Sequence, residues 1–178
     1  MNSVNSKYEK ILDLSKNLKS KFIFDYDIYK STWFRAGGKA DIFCLVDSEN
    51  ELEIILNHIG GISYSIIGAG SNLLIRDRGY RGLIIKLGKS FNQLSIQDNK
   101  ILAGASILDT NLAKFSYLHS IKNFEFFSGI PGSVGGAIKM NAGCFGSETK
   151  DVLYNVNVMK KKGEQAIIKN DSLNFSYR

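Results

Sequence analysis

Two glycine-rich stretches are the parts of this chain best suited to hold a phosphate. The first reads Ile67-Gly68-Ala69-Gly70-Ser71-Asn72-Leu73-Leu74 and follows a strand-like run. Residues with little side chain let main-chain N–H groups come close to an anion, and Ser71 and Asn72 add side-chain donors. Two familiar phosphate motifs do not fit. The fingerprint G-x-G-x-x-G needs a third glycine, a helix after it and an acidic residue about 20 positions further on. Leu73 and a strand-like run stand there instead, with no such acid. A Walker A loop ending in Gly88-Lys89-Ser90 fails because Gly82 lies one residue too far away. By itself the first loop is as readily a strand-to-strand turn as an anion site.

The second stretch reads Ser128-Gly129-Ile130-Pro131-Gly132-Ser133-Val134-Gly135-Gly136-Ala137-Ile138-Lys139-Met140-Asn141-Ala142-Gly143. Five of its sixteen residues are glycine, and Pro131 is the only proline in the chain. Ile130, Val134, Ile138 and Met140 suit a rigid, partly buried loop better than a slack, solvated one. Pro131 fixes one φ, and the glycines allow close approach or positive φ. Ser133 is placed to cap a short helix over 134–140, whose free N–H groups would face an anion. Two such loops fit one pyrophosphate held between two subdomains.

The other reactive side chains point to no second chemistry. Cys44 and Cys144 lie far apart, and His58 and His119 sit near the ends of expected helices. That is no metal-ligand spacing, and the cysteines read as reduced thiols of a cytoplasmic protein. The formal net charge is +6 and the pI about 9.2. Such a balance suits either an ordinary solvated surface or an anionic partner: a dinucleotide, a UDP-sugar or a nucleic acid. The charges are dispersed, and Lys160, Lys161 and Lys162 before Gly163 read as a solvated turn. No interleaving of aromatic and basic residues supports nucleic-acid binding. Trp33 and Phe34 could stack on a ring, but packing in a core is the commoner role of such aromatics. Arg35 and Lys39 could meet a phosphate or face water. No apolar run approaches the roughly 20 residues of a membrane span, and the polar, charged N-terminus is not a secretory signal.

Around the loops, the hydrophobic pattern predicts an α+β chain: a lead-in over 1–29, then halves at 30–88 and 89–178. A helix over 1–20 places Tyr8, Ile11, Leu12 and Leu18 near one face. Residues 21–31 look irregular and extended. A strand over 40–46 is followed by Ser48 and Glu51, spaced as a capping box. The helix they open buries Leu52, Ile55, Leu56 and Ile59. Further strands are expected over 63–67, 73–75 and 83–87. In the second half, strands over 93–97 and 101–103 flank an Asp98-Asn99 turn. A helix starts near Ser106 or Asp109 with Leu108, Leu112 and Phe115 on its apolar face. A hairpin of 152–159 and 164–168 closes around the lysine turn. Neither half has the βαβαβ spacing of a doubly wound sheet.

The segment Thr32-Trp33-Phe34-Arg35-Ala36-Gly37-Gly38-Lys39-Ala40-Asp41, the loop 68–74, the run 128–137, Met140-Asn141-Ala142-Gly143 and the terminal Phe175-Ser176-Tyr177-Arg178 follow one another in this order. In order and spacing they resemble the UDP-N-acetylenolpyruvoylglucosamine reductases over about residues 30–178. The leading helix carries no part of the resemblance. It implies an α+β, two-subdomain FAD-binding fold of the vanillyl-alcohol-oxidase/PCMH type. It also implies non-covalent FAD and NADPH as hydride donor. The substrate would be UDP-N-acetylenolpyruvoylglucosamine and the product UDP-N-acetylmuramate, in peptidoglycan precursor synthesis.

The resemblance assigns FAD binding to Gly68, Gly70, Ser71, Asn72 and Leu73 in the first loop. In the second it assigns Gly129, Ile130, Pro131, Gly132, Ser133, Gly135, Gly136 and Ala137, with Asn141 and Gly143 as weaker members. A turn residue bonding its own backbone is the plainer account of Asn141. Arg178 would be catalytic, its guanidinium stabilising the enolate that hydride addition builds beside the substrate carboxylate. Tyr177 would bind substrate. The family continues into a third, substrate-binding domain that supplies a serine and a glutamate for protonating the enol, and neither position occurs here. The expectation is a chain that carries the FAD-binding part, holds FAD weakly and turns over no substrate. Two alternatives stand beside it: another FAD oxidoreductase of the same fold, or a flavin-binding module without chemistry.

Overall fold

A computed structural model of the protein describes residues 3–175, with side chains from residue 8 onward. Two compact units emerge. The first takes the chain up to Ile67, Leu73–Gly88 and Met159–Gln165, and the second takes Gly68–Asn72, Lys89–Val158 and the chain from Ala166 on.

The first unit contains α1 (Ser3–Asn17), β1 (Lys21–Asp27), β2 (Lys39–Val46), α2 (Glu49–His58), β3 (Tyr64–Ile67) and β4 (Tyr80–Leu87). Its sheet runs β1-β2-β4-β3. β1 is antiparallel to β2, while β2 and β3 are both parallel to β4. β2 and β4 are the inner strands, covered on both faces. That is why they read as near-continuous apolar runs: Ile42, Phe43, Cys44, Leu83, Ile84 and Ile85 are all buried. Ile28, Ala40, Phe43, Ile67 and Ile84 form one core cluster, with Leu73 and Ile75 packed against it.

The cap of α2 forms only in part. Ser48 Oγ accepts from the Glu51 amide at 3.3 Å. The Glu51 carboxylate does not return the bond. It reaches instead to the link between α1 and β1, accepting from the amides of Lys19 (2.8 Å) and Ser20 (2.7 Å) and from Ser20 Oγ. Burial pushes this carboxyl upward, but the three donors outweigh it and hold its pKa below the usual range. α1 is further fastened by Tyr8, whose hydroxyl donates to Asp41 at 2.6 Å, and by the buried Ile11.

Two segments differ from the sequence expectation. Residues 21–31 are not irregular but form β1 and a 3-10 turn at Ile28–Ser31. β1 is an edge strand with no residue fully buried, so it lacks the clean alternation that marks a one-sided strand. Residues 73–75 join no ladder. Just beyond them one bond joins the chain to Gly38, from its N–H to Arg76 O at 3.1 Å. Only glycine permits that approach, because a Cβ on Gly38 would collide with the Asp77 carbonyl.

The second unit contains β5 (Leu94–Gln97), β6 (Lys100–Ala103), α3 (Asp109–Leu118), α4 (Val134–Met140), β7 (Gly143–Cys144), β8 (Ser147–Glu148), α5 (Thr149–Val152) and most of β9 (Asn155–Met159) and β10 (Gln165–Lys169). The strands pair only as β5-β6, β7-β8 and β9-β10. Asp98 and Asn99 have φ of +49° and +57°, the double positive φ of a tight two-residue hairpin. The strand expected from 152 starts only at Asn155, because 149–152 coil into α5 behind a capping box of Glu148 and Asp151. The core gathers Ile107, Leu112, Ala113, Phe126, Phe127, Val134 and Ala137. α3 buries Asp109, Leu112, Ala113 and Ser116, whereas Leu108 stands exposed at its N-cap. Among the described residues no helix is long and apolar enough to cross a membrane.

Candidate functional site

Both glycine loops fall in the second unit. Gly70 is buried with φ +76°, a conformation that favours glycine. Gly68 lies against Ser133 Oγ so closely that any Cβ would collide with that oxygen, and Gly136 Cα would lie 3.9 Å away. The two loops therefore meet at Gly68, Ser133 and Gly136, and two of those three positions are glycine. Leu73, just past the first loop, is built into the core of the first unit.

The second loop is held by antiparallel pairing with residues 105–109. Leu108 bridges Ser133. Asp109 N–H donates to Gly132 O at 3.1 Å, Val134 N–H to Ile107 O at 2.9 Å and Gly135 N–H to Ala105 O at 2.9 Å. This corrects the expectation of free amides at the start of α4: the first two are bonded within the protein. Gly136 N–H, the next in line, takes no part in that pairing. Ser133 has the extended backbone of an N-cap, φ −125° and ψ 151°, but its side chain makes no cap bond. Its Oγ is buried and has no partner. Val134 is buried as expected, whereas Met140 is exposed.

An orphaned buried hydroxyl costs about 1–3 kcal/mol, which an external acceptor would remove. Here the orphan stands where two loops close on each other through glycine. The arrangement fits one oxygen-rich anion, such as the diphosphate of a dinucleotide, held by Ser133 Oγ and by main chain around Gly68 and Gly136.

Asp109 was visible in the sequence only as a helix start. Its carboxyl is fully buried and neither oxygen has a partner. Burial alone pushes its pKa up to about 7. It lies against the second loop, for a Cβ on Gly132 would sit 2.5 Å from Asp109 Oδ2. The helical stripe Asp109, Leu112, Ala113, Ser116 could have revealed this, since i, i+3, i+4, i+7 share one face.

Asn141 has a left-handed backbone, φ +43°, at the end of α4. Its side chain is engaged within the fold: Nδ2 donates to Glu148 at 2.8 Å and Oδ1 accepts from the Lys150 amide at 3.0 Å. Gly143 opens the β7-β8 hairpin, and a Cβ on Gly129 would collide with Cys144 Sγ and the Phe145 ring of that hairpin. Tyr177 and Arg178 lie outside the described residues. Trp33 and Phe34 do not pack in a core but are exposed on the first unit. Cys44 is fully buried, and burial pushes its thiol up to about 12, which makes it unreactive. His58 and His119 each place Nδ1 on the carbonyl four residues back. No metal-binding cluster occurs among the described residues.

Comparison with known proteins gives the fold and the family. The family described as FAD binding domain matches residues 40–168. A UDP-N-acetylenolpyruvoylglucosamine reductase of Pelagibacter ubique is 42% identical over 172 residues, which take in 96% of this chain and 57% of that protein. The crystal structure of the corresponding reductase from Thermus caldophilus superposes with a TM-score of 0.76 at 30% identity, covering 90% of this chain and 56% of that one. The 6-hydroxy-D-nicotine oxidase of Arthrobacter nicotinovorans shares the fold alone, with a TM-score of 0.62 at 16% identity over 86% of this chain and 36% of its own. The chain thus spans little more than half the length of the reductases it matches. Its architecture is the α+β FAD-binding fold of the vanillyl-alcohol-oxidase/PCMH type. The FAD binding domain match runs across most of the chain, and the protein belongs to that family.

Proposed function

We propose that this chain is the FAD-binding part of an enzyme that reduces UDP-N-acetylenolpyruvoylglucosamine to UDP-N-acetylmuramate with NADPH, in cytoplasmic peptidoglycan precursor synthesis. The observation that carries the site is the unpartnered Ser133 hydroxyl at the meeting of Gly68 and Gly136. The reaction rests on the 42% identity with the Pelagibacter ubique reductase over nearly the whole chain.

Bound FAD would take hydride from NADPH and pass it to the enolpyruvyl double bond. Ser133 Oγ would donate to the diphosphate, beside the bare α-carbons of Gly68 and Gly136. Gly70, Gly129, Ile130, Pro131, Gly132, Gly135, Ala137 and Gly143 contribute main chain, while Ser71 and Asn72 offer side-chain donors. Leu73 and Asn141 act through their backbone, since their side chains are engaged in the fold. Arg178 stabilises the negative charge that grows beside the substrate carboxylate as hydride adds, because a planar guanidinium matches that group. Tyr177 would serve beside the substrate or the nicotinamide.

Titration of the purified chain with FAD, followed by flavin fluorescence quenching, tests the first step. Saturable binding is expected, weakened about tenfold in Ser133→Ala, the loss of one hydrogen bond of about 1.4 kcal/mol. A chain that leaves flavin fluorescence unchanged sinks the assignment. The substrate is tested on the full-length protein: NADPH should bleach the flavin band and the enolpyruvyl UDP-sugar restore it. Bleaching without recovery would point to another oxidoreductase of the same fold.

A further inference from the structure

Asp109 is a second buried group at the loops that the fold leaves without a partner, and its place there is specific. Its own amide is bonded to Gly132 O at 3.1 Å, and its carboxyl lies against the Gly132 α-carbon. In an antiparallel pairing with Leu108 opposite Ser133, alternation sends the Asp109 and Ser133 side chains to opposite faces. The contacts agree: Ser133 Oγ meets Gly68 while Asp109 meets Gly132. An anion held by Ser133 Oγ would therefore have the Asp109 carboxyl on the opposite face of the same loop, behind Gly132.

Two like charges on opposite faces of one loop, away from water, repel, and one of them is favoured to be neutral. The diphosphate of FAD stays ionised throughout the neutral range, so the group that yields is Asp109. We propose that Asp109 is a positioning residue of the dinucleotide site which must be uncharged when the diphosphate is bound, so that FAD binding is accompanied by uptake of one proton at its carboxyl. This rests on the assignment of the two glycine loops to FAD.

The chemistry balances: carboxylate and a solvent proton give the carboxylic acid, and no other bond changes. The charged or titratable side chains on neighbouring elements include Lys114 and Tyr117 of α3, His119 just after it, Lys100 of β6, Glu125, Lys139 of α4, Cys144 of β7, Glu148 of β8 and Lys150 and Asp151 of α5. None of them perturbs the carboxyl, on which burial alone acts. The start of α3 favours the ionised form, but burial wins, and the group titrates near pH 7 before any ligand arrives.

The test is calorimetric titration of the chain with FAD in buffers of different ionisation enthalpy, between pH 6 and 8.5. Uptake approaching about one proton per FAD is expected at the alkaline end. The dissociation constant should rise about tenfold per pH unit above the free group's midpoint, as linkage requires. Asp109→Asn should abolish both the uptake and the slope, and His119→Gln should leave them intact. Heats independent of buffer, with an affinity that varies less than about twofold over this range, would overturn the proposal; so would an unchanged slope in Asp109→Asn. If that variant does not fold, proton uptake by the wild-type chain decides alone. Absence of FAD binding at every pH would instead overturn the assignment of the loops.

Discussion

Asp109 also makes a prediction that needs no ligand. In the unfolded chain an aspartate titrates near about 4; in the fold it does so at about 7. Between those values the folded protein holds a proton that the unfolded chain has lost. The group's contribution to stability is therefore complete below about pH 4 and is lost as pH rises through about 7. Without FAD, Asp109→Asn should be more stable than wild type at pH 8, by up to about 4 kcal/mol if the whole shift is relieved. The gain should shrink steadily on acidification and vanish near pH 4. Denaturant unfolding of both proteins across that range measures the difference, and a gap that stays constant with pH would contradict it. The same residue explains why Gly132 tolerates no side chain, since a Cβ would press on Oδ2.

At the scale of elements, Glu51 shows how one side chain ties two of them together. It belongs to α2, yet its carboxylate accepts three hydrogen bonds from Lys19 and Ser20, between α1 and β1. Hydrogen bonds to a charged acceptor contribute about 1.5–3 kcal/mol when buried. Glu51→Gln keeps the shape and removes the charge, so a loss of about 2 kcal/mol is expected at pH 7, read as a thermal midpoint lower by roughly 4–8 °C. Because the folded carboxyl is held below its usual range, its contribution is present above the unfolded value near about 4.3 and fades as pH falls below it. The variant and wild type should converge as pH falls through the lowered folded value. Equal midpoints at pH 7 would show that the three bonds contribute nothing net. In the second unit the corresponding tie is Asn141, whose side chain joins the end of α4 to Glu148 and Lys150.

For the molecule as a whole, cofactor and stability are linked by mass action. A ligand that binds only the folded chain, present at a hundred times its dissociation constant, adds about 2.7 kcal/mol. In a chain of this size that is a rise of roughly 5–11 °C in the melting midpoint. Differential scanning fluorimetry over a series of FAD concentrations should show the midpoint climbing with the logarithm of concentration. A midpoint indifferent to FAD at concentrations that quench flavin fluorescence would mean that the bound state is not the native fold. Ser133→Ala should shift the whole series to higher FAD, because it removes a donor without emptying the core.

Much of this was already written in the order of residues. Glycine at 68, 70, 132 and 136, Pro131, the strand over 40–46 and the short helix after Ser133 are local signals, set by side-chain size, allowed φ and hydrophobic period, and they need no distant partner to be read. Other features exist only once distant segments meet. β1 becomes a strand because β2 pairs with it, while 73–75 find no strand to pair with. Glu51 abandons its own cap because two amides 31 and 32 residues away are nearer in space. The first amides of α4 are taken by residues 105–107, which leaves Ser133 Oγ and the Asp109 carboxyl without partners. Burial and hydrogen-bond satisfaction are properties of the packed neighbourhood, so no run of residues can announce them. Local propensity chose the elements, and tertiary contact decided which polar groups were left for a ligand.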